Sequence, residues 1–288
     1  MSNDLDIQHG DARQLAKQLP AGSVDAIVSD PPYGEGLLDD GDESPVSASK
    51  LLGEVLAVCS PLLRPGAHVV LWWSSRSLDL CIEAAKGAGL VFSRLLTMYT
   101  PQGGARPYRG WLPRVQPILM FRAHGRYIPE WRQRHATALR EALAARGMAV
   151  SALADKLGCS HRLATKWTRE DDDSWSYPNS EHRAGIFEIL GVRIPPAPEK
   201  ESRPARHDIY QLTGGASESS HPCEKPLWVV EDIVSRIVQQ GGLCLDPFCG
   251  SGTTLLACRR CGVRGIGFEI DDKYCKLANE RLSQSELF

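Results

Sequence analysis

The chain has 288 residues, of which 42% are hydrophobic and 24% charged, enough for about two domains and a core that needs no metal or disulfide staple. This composition excludes a wholly disordered chain, a collagen-like repeat and a small disulfide scaffold. The net charge of −2 conceals an asymmetry: residues 1–60 hold eleven acidic against three basic residues, while residues 103–140 hold eight arginines, no lysine and one glutamate. An arginine-only basic stretch favours phosphate or base contacts with a polyanion over a plain solvated face.

No apolar run approaches the ~18 residues that would cross a bilayer. The start, MSNDLDIQHG, is polar and acidic, so neither a membrane span nor a signal peptide is expected. The nine cysteines follow no framework spacing and read as reduced thiols of a cytoplasmic protein.

In chain order, the first predicted strand is Val24–Ser29 (VDAIVS), which stops at Asp30-Pro31-Pro32-Tyr33-Gly34. Gly36–Lys50 is acidic and serine-rich and reads as a mobile loop, with a helix over Ala48–Cys59. The turn signal Arg64-Pro65-Gly66 leads into a strand over His68–Trp73 (HVVLWW), and Leu78–Gly87 reads as a helix. Val91–Met98 and Val115–Phe121 are expected to form an antiparallel hairpin at one sheet edge. From 133 to 194 strand-like runs cease. Helices are expected over Ala138–Gly147, Val150–Leu157, Ser160–Thr168 and Pro178–Val192, making an inserted all-helical domain. Residues 195–220 have linker composition, again read as mobile. Helix Pro226–Gln239, strand Leu243–Leu245, helix Thr253–Cys261 and strand Arg264–Phe268 follow. Continuous apolar strands alternating with helices predict an α/β doubly wound sheet.

Two turns carry chemistry. Asp246-Pro247-Phe248-Cys249-Gly250-Ser251-Gly252-Thr253-Thr254 joins a strand to a helix, so its glycines let a ligand approach backbone and helix N–H groups. It lacks the spacings of dinucleotide and P-loop sites. Glu269 ends the next strand, where a carboxylate accepts from ribose hydroxyls. In Asp30-Pro31-Pro32-Tyr33, the prolines leave carbonyls free, Asp30 accepts hydrogen bonds and Tyr33 offers a flat face. That set suits a planar, amino-bearing base. Cys258 and Cys261 form a C-x-x-C without a second ligand pair, so they read as core thiols and no metal is expected. Trp72, Trp73 and Trp111 read as core or rim aromatics, and Pro107–Trp111 as a DNA contact.

Together DPPY, DPFCGSGTT and GFEID resemble the S-adenosylmethionine-dependent DNA amino-methyltransferases, which methylate N6 of adenine or N4 of cytosine. The order of the motifs is similar to that of the β class. His221-Pro222-Cys223-Glu224-Lys225-Pro226 resembles the family's HPxxKP segment, and Ile7–Asp11 its opening strand and GD turn. The resemblance implies a Rossmann-like methyltransferase sheet with a catalytic half at 1–132, an inserted target-recognition domain at 133–194, a linker at 195–220 and a cofactor half at 221–288. It implies that Asp246, Phe248, Gly250, Ser251, Gly252 and Thr253 surround the cofactor's methionine end. Glu269 would hold its ribose, Asp11 lie near its adenine and Lys225 near its carboxylate. It further implies that Asp30 and the Pro31 carbonyl hold the target amine, in a loop that Pro32 stiffens, and that Tyr33 stacks on a flipped base.

Within the insert, the predicted Val150–Leu157 and Ser160–Thr168 helices flank the turn Gly158-Cys159, a helix-turn-helix pattern that resembles Cro/repressor domains. The second helix would place His161, Arg162, Thr165 and Lys166 in a major groove. Arg106 and Arg109 are further candidate DNA contacts, Arg132 and Arg134 the candidate phosphate contacts, and Asp171–Asp173 is expected to face away from DNA. The favoured function is methylation of adenine N6 in duplex DNA, since Asp30 stands where cytosine-N4 relatives often carry serine. Competing readings are a cytosine-N4 enzyme, a helix-turn-helix regulator on a degenerate methyltransferase scaffold, and a methyltransferase of RNA or protein. A homodimer and a cognate restriction endonuclease stay open as partners.

Overall fold

The computed structural model describes residues 5–34, 44–99, 115–124, 130–169, 178–194, 208–212 and 225–284, with side chains of the 130s from Arg134 on. The chain divides into two compact units, one of residues 1–125 with 206–288, the other of residues 126–205.

The first unit is an eight-stranded sheet. In chain order its elements are β1 (Leu5–His9), α1 (Ala12–Leu15), β2 (Val24–Ser29), α2 (Pro45–Cys59), β3 (Leu63–Trp72), α3 (Leu78–Gly87), β4 (Val91–Tyr99) and β5 (Val115–Arg122). The second unit contributes α4 (Glu130–Ala145), α5 (Val150–Lys156), α6 (His161–Thr168) and α7 (Ser180–Leu190). The first then resumes with β6 (Ile209–Gln211), α8 (Leu227–Ile237), β7 (Leu243–Asp246), α9 (Thr253–Arg260), β8 (Arg264–Glu269) and α10 (Asp272–Gln284). The strand order is β1-β8-β7-β2-β3-β5-β4-β6. All neighbours are parallel except β5, which runs antiparallel to both β3 and β4.

The apolar runs divide by the period-two alternation of a strand. Ile27, Val69, Leu71 and Trp73 pack with α1, α2 and α3 on one face. Ala26, Val28, Val70 and Trp72 pack with α8 and α9 on the other. Because both faces are covered, both registers of each strand are apolar, which is why β2 and β3 read as unbroken hydrophobic runs.

The second unit has its own core of Leu139, Leu143, Leu153, Ala164, Trp167, Ile186 and Leu190. Two of its helices, α6 and α7, start at side-chain caps. Ser160 Oγ accepts from the Leu163 N–H at 3.2 Å, and Asn179 Oδ1 accepts from the His182 N–H at 2.7 Å.

Several expectations are corrected. Ser44–Lys50 is not loop: the Ser44 and Ser47 hydroxyls each accept from the other's N–H in a capping box, with Pro45 in the first turn, so α2 starts at Pro45. Arg64-Pro65-Gly66 lies within β3, where the pairing of β2 jumps from Leu63 to His68. The hairpin of β4 and β5 forms but is not the edge, because Ile209–Gln211, inside the expected linker, pairs with Thr97–Tyr99. The first insert helix begins at Glu130, and buried Ala136 extends the Leu139 and Leu143 stripe backward. The expected insert, 133–194, falls within the second compact unit of residues 126–205. Among the described residues no helix is long and apolar enough to cross a membrane.

Candidate active site

The connection out of β7 leads through α9 to β8 on one side, while β2 lies on the other. Ligands of such sheets bind beyond the strands' carboxyl ends at this switch point. The two predicted motifs meet there. Ser29, the last residue of β2, is fully buried, and its hydroxyl donates to Asp246 Oδ1 at 2.5 Å. The catalytic-loop and glycine-turn segments are thus joined one residue before Asp30.

Asp246 is 3% exposed. It accepts also from the Phe248 N–H at 3.1 Å, and the Thr254 hydroxyl bonds to it. Burial pushes its carboxyl up to about 6, against these hydrogen bonds, with the nearby Asp30 charge adding to the rise. Gly250 has φ +52°, and a Cβ there would meet nothing within 4 Å, so the turn is open toward a ligand at that residue. Gly252 caps α9 at φ +82°, and a Cβ there would come within 3.1 Å of Ala278. Buried Thr253 opens α9, and Phe248 packs half-buried against the core.

Glu269 ends β8 as expected. One carboxylate oxygen accepts from the Gly250 N–H at 2.7 Å and the other from the Asp271 N–H at 2.8 Å. A carboxylate has about four lone-pair sites, so two remain for ligand hydroxyls. Next to it, Ile270 is 69% exposed, an apolar face beside the carboxylate that the motif search missed. Asp11 caps α1, accepting from the Arg13 N–H at 2.8 Å and pairing with the Arg13 guanidinium. That pairing holds its carboxyl below the usual carboxylate range. Arg13 also bonds Glu54 at 2.6 Å.

Around Asp30 the structure assembles a network. The Tyr33 hydroxyl donates to Asp30 Oδ1 and the Lys225 ammonium to Oδ2. Gln116 Nε2 donates to the Tyr33 hydroxyl at 3.0 Å. The Tyr33 ring packs edge-on to Trp73 at 5.7 Å, and Lys225 Nζ stands 5.6 Å from its centroid. Pro31 is buried and Pro32 half-buried. Lys225 is expected near a cofactor carboxylate; in the structure its ammonium also donates to Asp30. Gln116, on the antiparallel β5, carried no sequence signal.

Of the C-x-x-C pair, Cys258 on α9 is a buried core thiol beside Cys244 of β7, and half-buried Cys261 lies against the Glu231 carbonyl at 3.5 Å. Among the described residues no group of three or more His, Cys, Asp or Glu could hold a metal ion. Trp72 and Trp73 are core residues, whereas Trp111 lies outside the described residues, as do Arg106, Arg109, His221–Glu224 and Asp171–Asp173. The Arg132 side chain also lies outside them. On α6, His161 and Arg162 are exposed while Thr165 and Lys166 are half-buried. The Thr165 hydroxyl donates to the His161 carbonyl at 2.8 Å. Arg134 is exposed on α4.

A sheet in this order, with an acidic glycine turn and an Asp-Pro-Pro-Tyr loop meeting at its switch point, defines a Rossmann-like methyltransferase. The chain belongs to the N6/N4 DNA methylase family, whose profile matches residues 24–280. It is therefore an S-adenosylmethionine-dependent DNA amino-methyltransferase of the adenine-N6 or cytosine-N4 kind. It is 24% identical to the type II methyltransferase M.HpaI of Haemophilus parainfluenzae, over 94% of this chain and 72% of that protein. It is 25% identical to the DNA adenine methyltransferase YhdJ of Escherichia coli K12, over 96% and 82%. Its fold matches the cytosine-N4-specific PvuII DNA methyltransferase with a TM-score of 0.58 at 15% identity, covering 96% of this chain and 86% of that one.

Proposed function

We propose that the chain methylates the exocyclic N6 of adenine in duplex DNA, with the target base flipped into the site beside Asp30. One observation carries the assignment to a site: the hydroxyl of Ser29 bonds Asp246, so the carboxylate that would hold the amine is tied to the glycine turn that would hold the methyl donor. The residues suit the donor. Gly250 leaves open space, the Glu269 carboxylate keeps lone pairs for a ribose, and exposed Ile270 offers an apolar face to adenine. Ser251 and Thr253 would line the methionine end, and Asp11 would approach the adenine. When bound, S-adenosylmethionine supplies a methyl group activated by the sulfonium.

The protein's own work is alignment and charge. A nucleobase amine is a poor nucleophile because its lone pair is delocalised into the ring. Asp30 and the Pro31 carbonyl accept its two hydrogens, which favours a pyramidal nitrogen and stabilises the positive charge that develops there. The Tyr33 hydroxyl and the Lys225 ammonium occupy Asp30 in the structure. The incoming amine takes lone pairs they leave, or displaces the tyrosine hydroxyl, whose ring then stacks on the base. Holding amine, methyl and sulfur in line supplies the rest.

The second unit is read as a helix-turn-helix module. α5 and α6 are joined by a turn with Gly158 at φ +64°, and α6 exposes His161 and Arg162 at its N-terminal end. In such modules those residues touch base edges in the major groove. The relatives named type II support a restriction setting, with an endonuclease as partner, and a cytoplasmic location follows from acting on DNA.

The choice of adenine rests on Asp30, a carboxylate in place of a hydroxyl, and on the similarity to an adenine methyltransferase. Labelled S-adenosylmethionine incubated with duplex DNA, digested to nucleosides and read by mass spectrometry, tests it. N6-methyldeoxyadenosine is expected. N4-methyldeoxycytidine would replace adenine with cytosine as target, and no methylated nucleoside on varied duplexes would favour the regulator.

A further inference from the structure

The helix α10 does more than cover the sheet edge. Two of its residues, one turn apart, face the glycine turn. Ala278 is fully buried and packs so closely that a Cβ on Gly252 would lie 3.1 Å from its methyl group. Arg281, beyond the last residue of the family match, reaches the turn itself. Its Nη1 donates to the Ser251 carbonyl at 2.7 Å and to Ser251 Oγ at 2.7 Å, and lies 3.4 Å from Thr253 Oγ1. Three oxygens, two from Ser251 and one from Thr253, thus converge on one guanidinium nitrogen. A guanidinium presents its donors in a rigid fork.

We propose that Arg281 is a positioning residue of the cofactor site, holding Ser251–Thr253 in the shape that receives the methionine end of S-adenosylmethionine. The inference rests on the cofactor reading above. Because Ser251 Oγ accepts from Arg281, its hydrogen is left to donate, and a donor beside open Gly250 suits the carboxylate of an amino acid. The half-buried positive charge also adds to the partial positive charge at the N-terminal end of α9. Arg281 reaches this carboxylate through the turn and not by direct contact.

The test compares Arg281→Met and Arg281→Lys with Arg259→Met in the full-length protein. Arg259 Nη2 donates to the Leu282 carbonyl at 2.5 Å, so it ties α10 to α9. Cofactor affinity is read by calorimetry, KM and kcat by turnover, and stability by thermal melting. Arg281→Met is expected to raise the cofactor Kd and KM about ten-fold while leaving kcat within about two-fold. Arg281→Lys, which keeps the charge and loses the fork, should fall between, at about three-fold. Arg259→Met should lower the melting temperature with the cofactor Kd within about two-fold. An unchanged Kd in Arg281→Met overturns the proposal, and so does an equal loss in Arg259→Met, which would make the effect simple helix docking. Should Arg281→Met not fold, unchanged affinity in Arg281→Lys overturns it alone. Absence of cofactor binding by the unaltered protein would instead overturn the cofactor reading, and this inference with it.

Discussion

The glycine turn and the α6 helix are both candidate ligand surfaces, but they are built in opposite ways. In the turn the polar side chains are already braced by protein partners: Asp246 by Ser29 and Phe248, Glu269 by Gly250 and Asp271, Ser251 by Arg281. On α6 the candidate readers His161 and Arg162 stand exposed on a small packed core. The first arrangement suits chemistry, where a displacement of about 1 Å is costly and groups must be set in advance. The second suits recognition, where side chains order only on the partner and long arginines adapt to base edges. On the proposed reading, rigid bonds stand where the methyl would move, and freedom where sequence would be read.

The largest test of this contrast is Asp30→Ala. Removal of an aligned acceptor costs on the order of 3 kcal/mol or more in the transition state. Turnover should fall at least about a hundred-fold, while calorimetry shows cofactor affinity within a few-fold. Near-normal turnover would mean the set geometry serves something other than the amine. Replacing residues 126–205 with a short Gly/Ser linker should leave cofactor binding intact and erase the preference for one DNA site, read by sequencing methylated fragments. Methylation of the same sites with the same selectivity would move recognition back to the first unit.

Next comes Asp246→Asn. The folded carboxyl is raised to about 6 from an ordinary value near 3.8, so the native state favours its protonated form. That preference gives stability below the unfolded pKa, which is lost as pH rises through 6. Above pH 6 the buried charge costs up to about 3 kcal/mol. The asparagine should therefore melt higher than the native chain at pH 7.5 and no higher at pH 4. A gain independent of pH would show that Asp246 is not the titrating group.

Arg162→Ala should then remove a base contact of about 1–3 kcal/mol and relax preference at one position of the site. Competition between cognate and single-substitution duplexes measures this. The smallest effect is expected of Arg134→Ala: weaker binding to all duplexes alike, with the salt slope reduced by about one unit. A change in site preference would make Arg134 a reader and blur the line between the two surfaces.

What the sequence made legible tracks how local the cause is. β2, β7 and β8 are apolar runs ended by Asp-Pro or Glu, and their strands and site residues fall where those signals stand. β6 was missed because Ile209–Gln211 is too short to show alternation and becomes a strand only by pairing with Thr97–Tyr99. The start of α2 was missed because Ser47 fills the place of the usual Glu or Gln in its capping box. Lys225 on Asp30, 195 residues away, and Arg281 on Ser251 are products of tertiary folding with no spacing to read. The glycine turn was visible in the sequence, but its bracing was not.

The interleaved strand order has a consequence for how the chain is made. Ser29 and its partner Asp246 lie 217 residues apart, and β2 carries one unpaired edge until β7 is synthesised. At ~5–20 residues per second, that edge waits roughly ten to forty seconds, while α4–α7 gather from near neighbours. The helical segment is therefore synthesised whole while the sheet still lacks three of its strands. Slow codons or chaperones that act between the synthesis of β5 and β7 would change the yield of active protein more than those acting at either end.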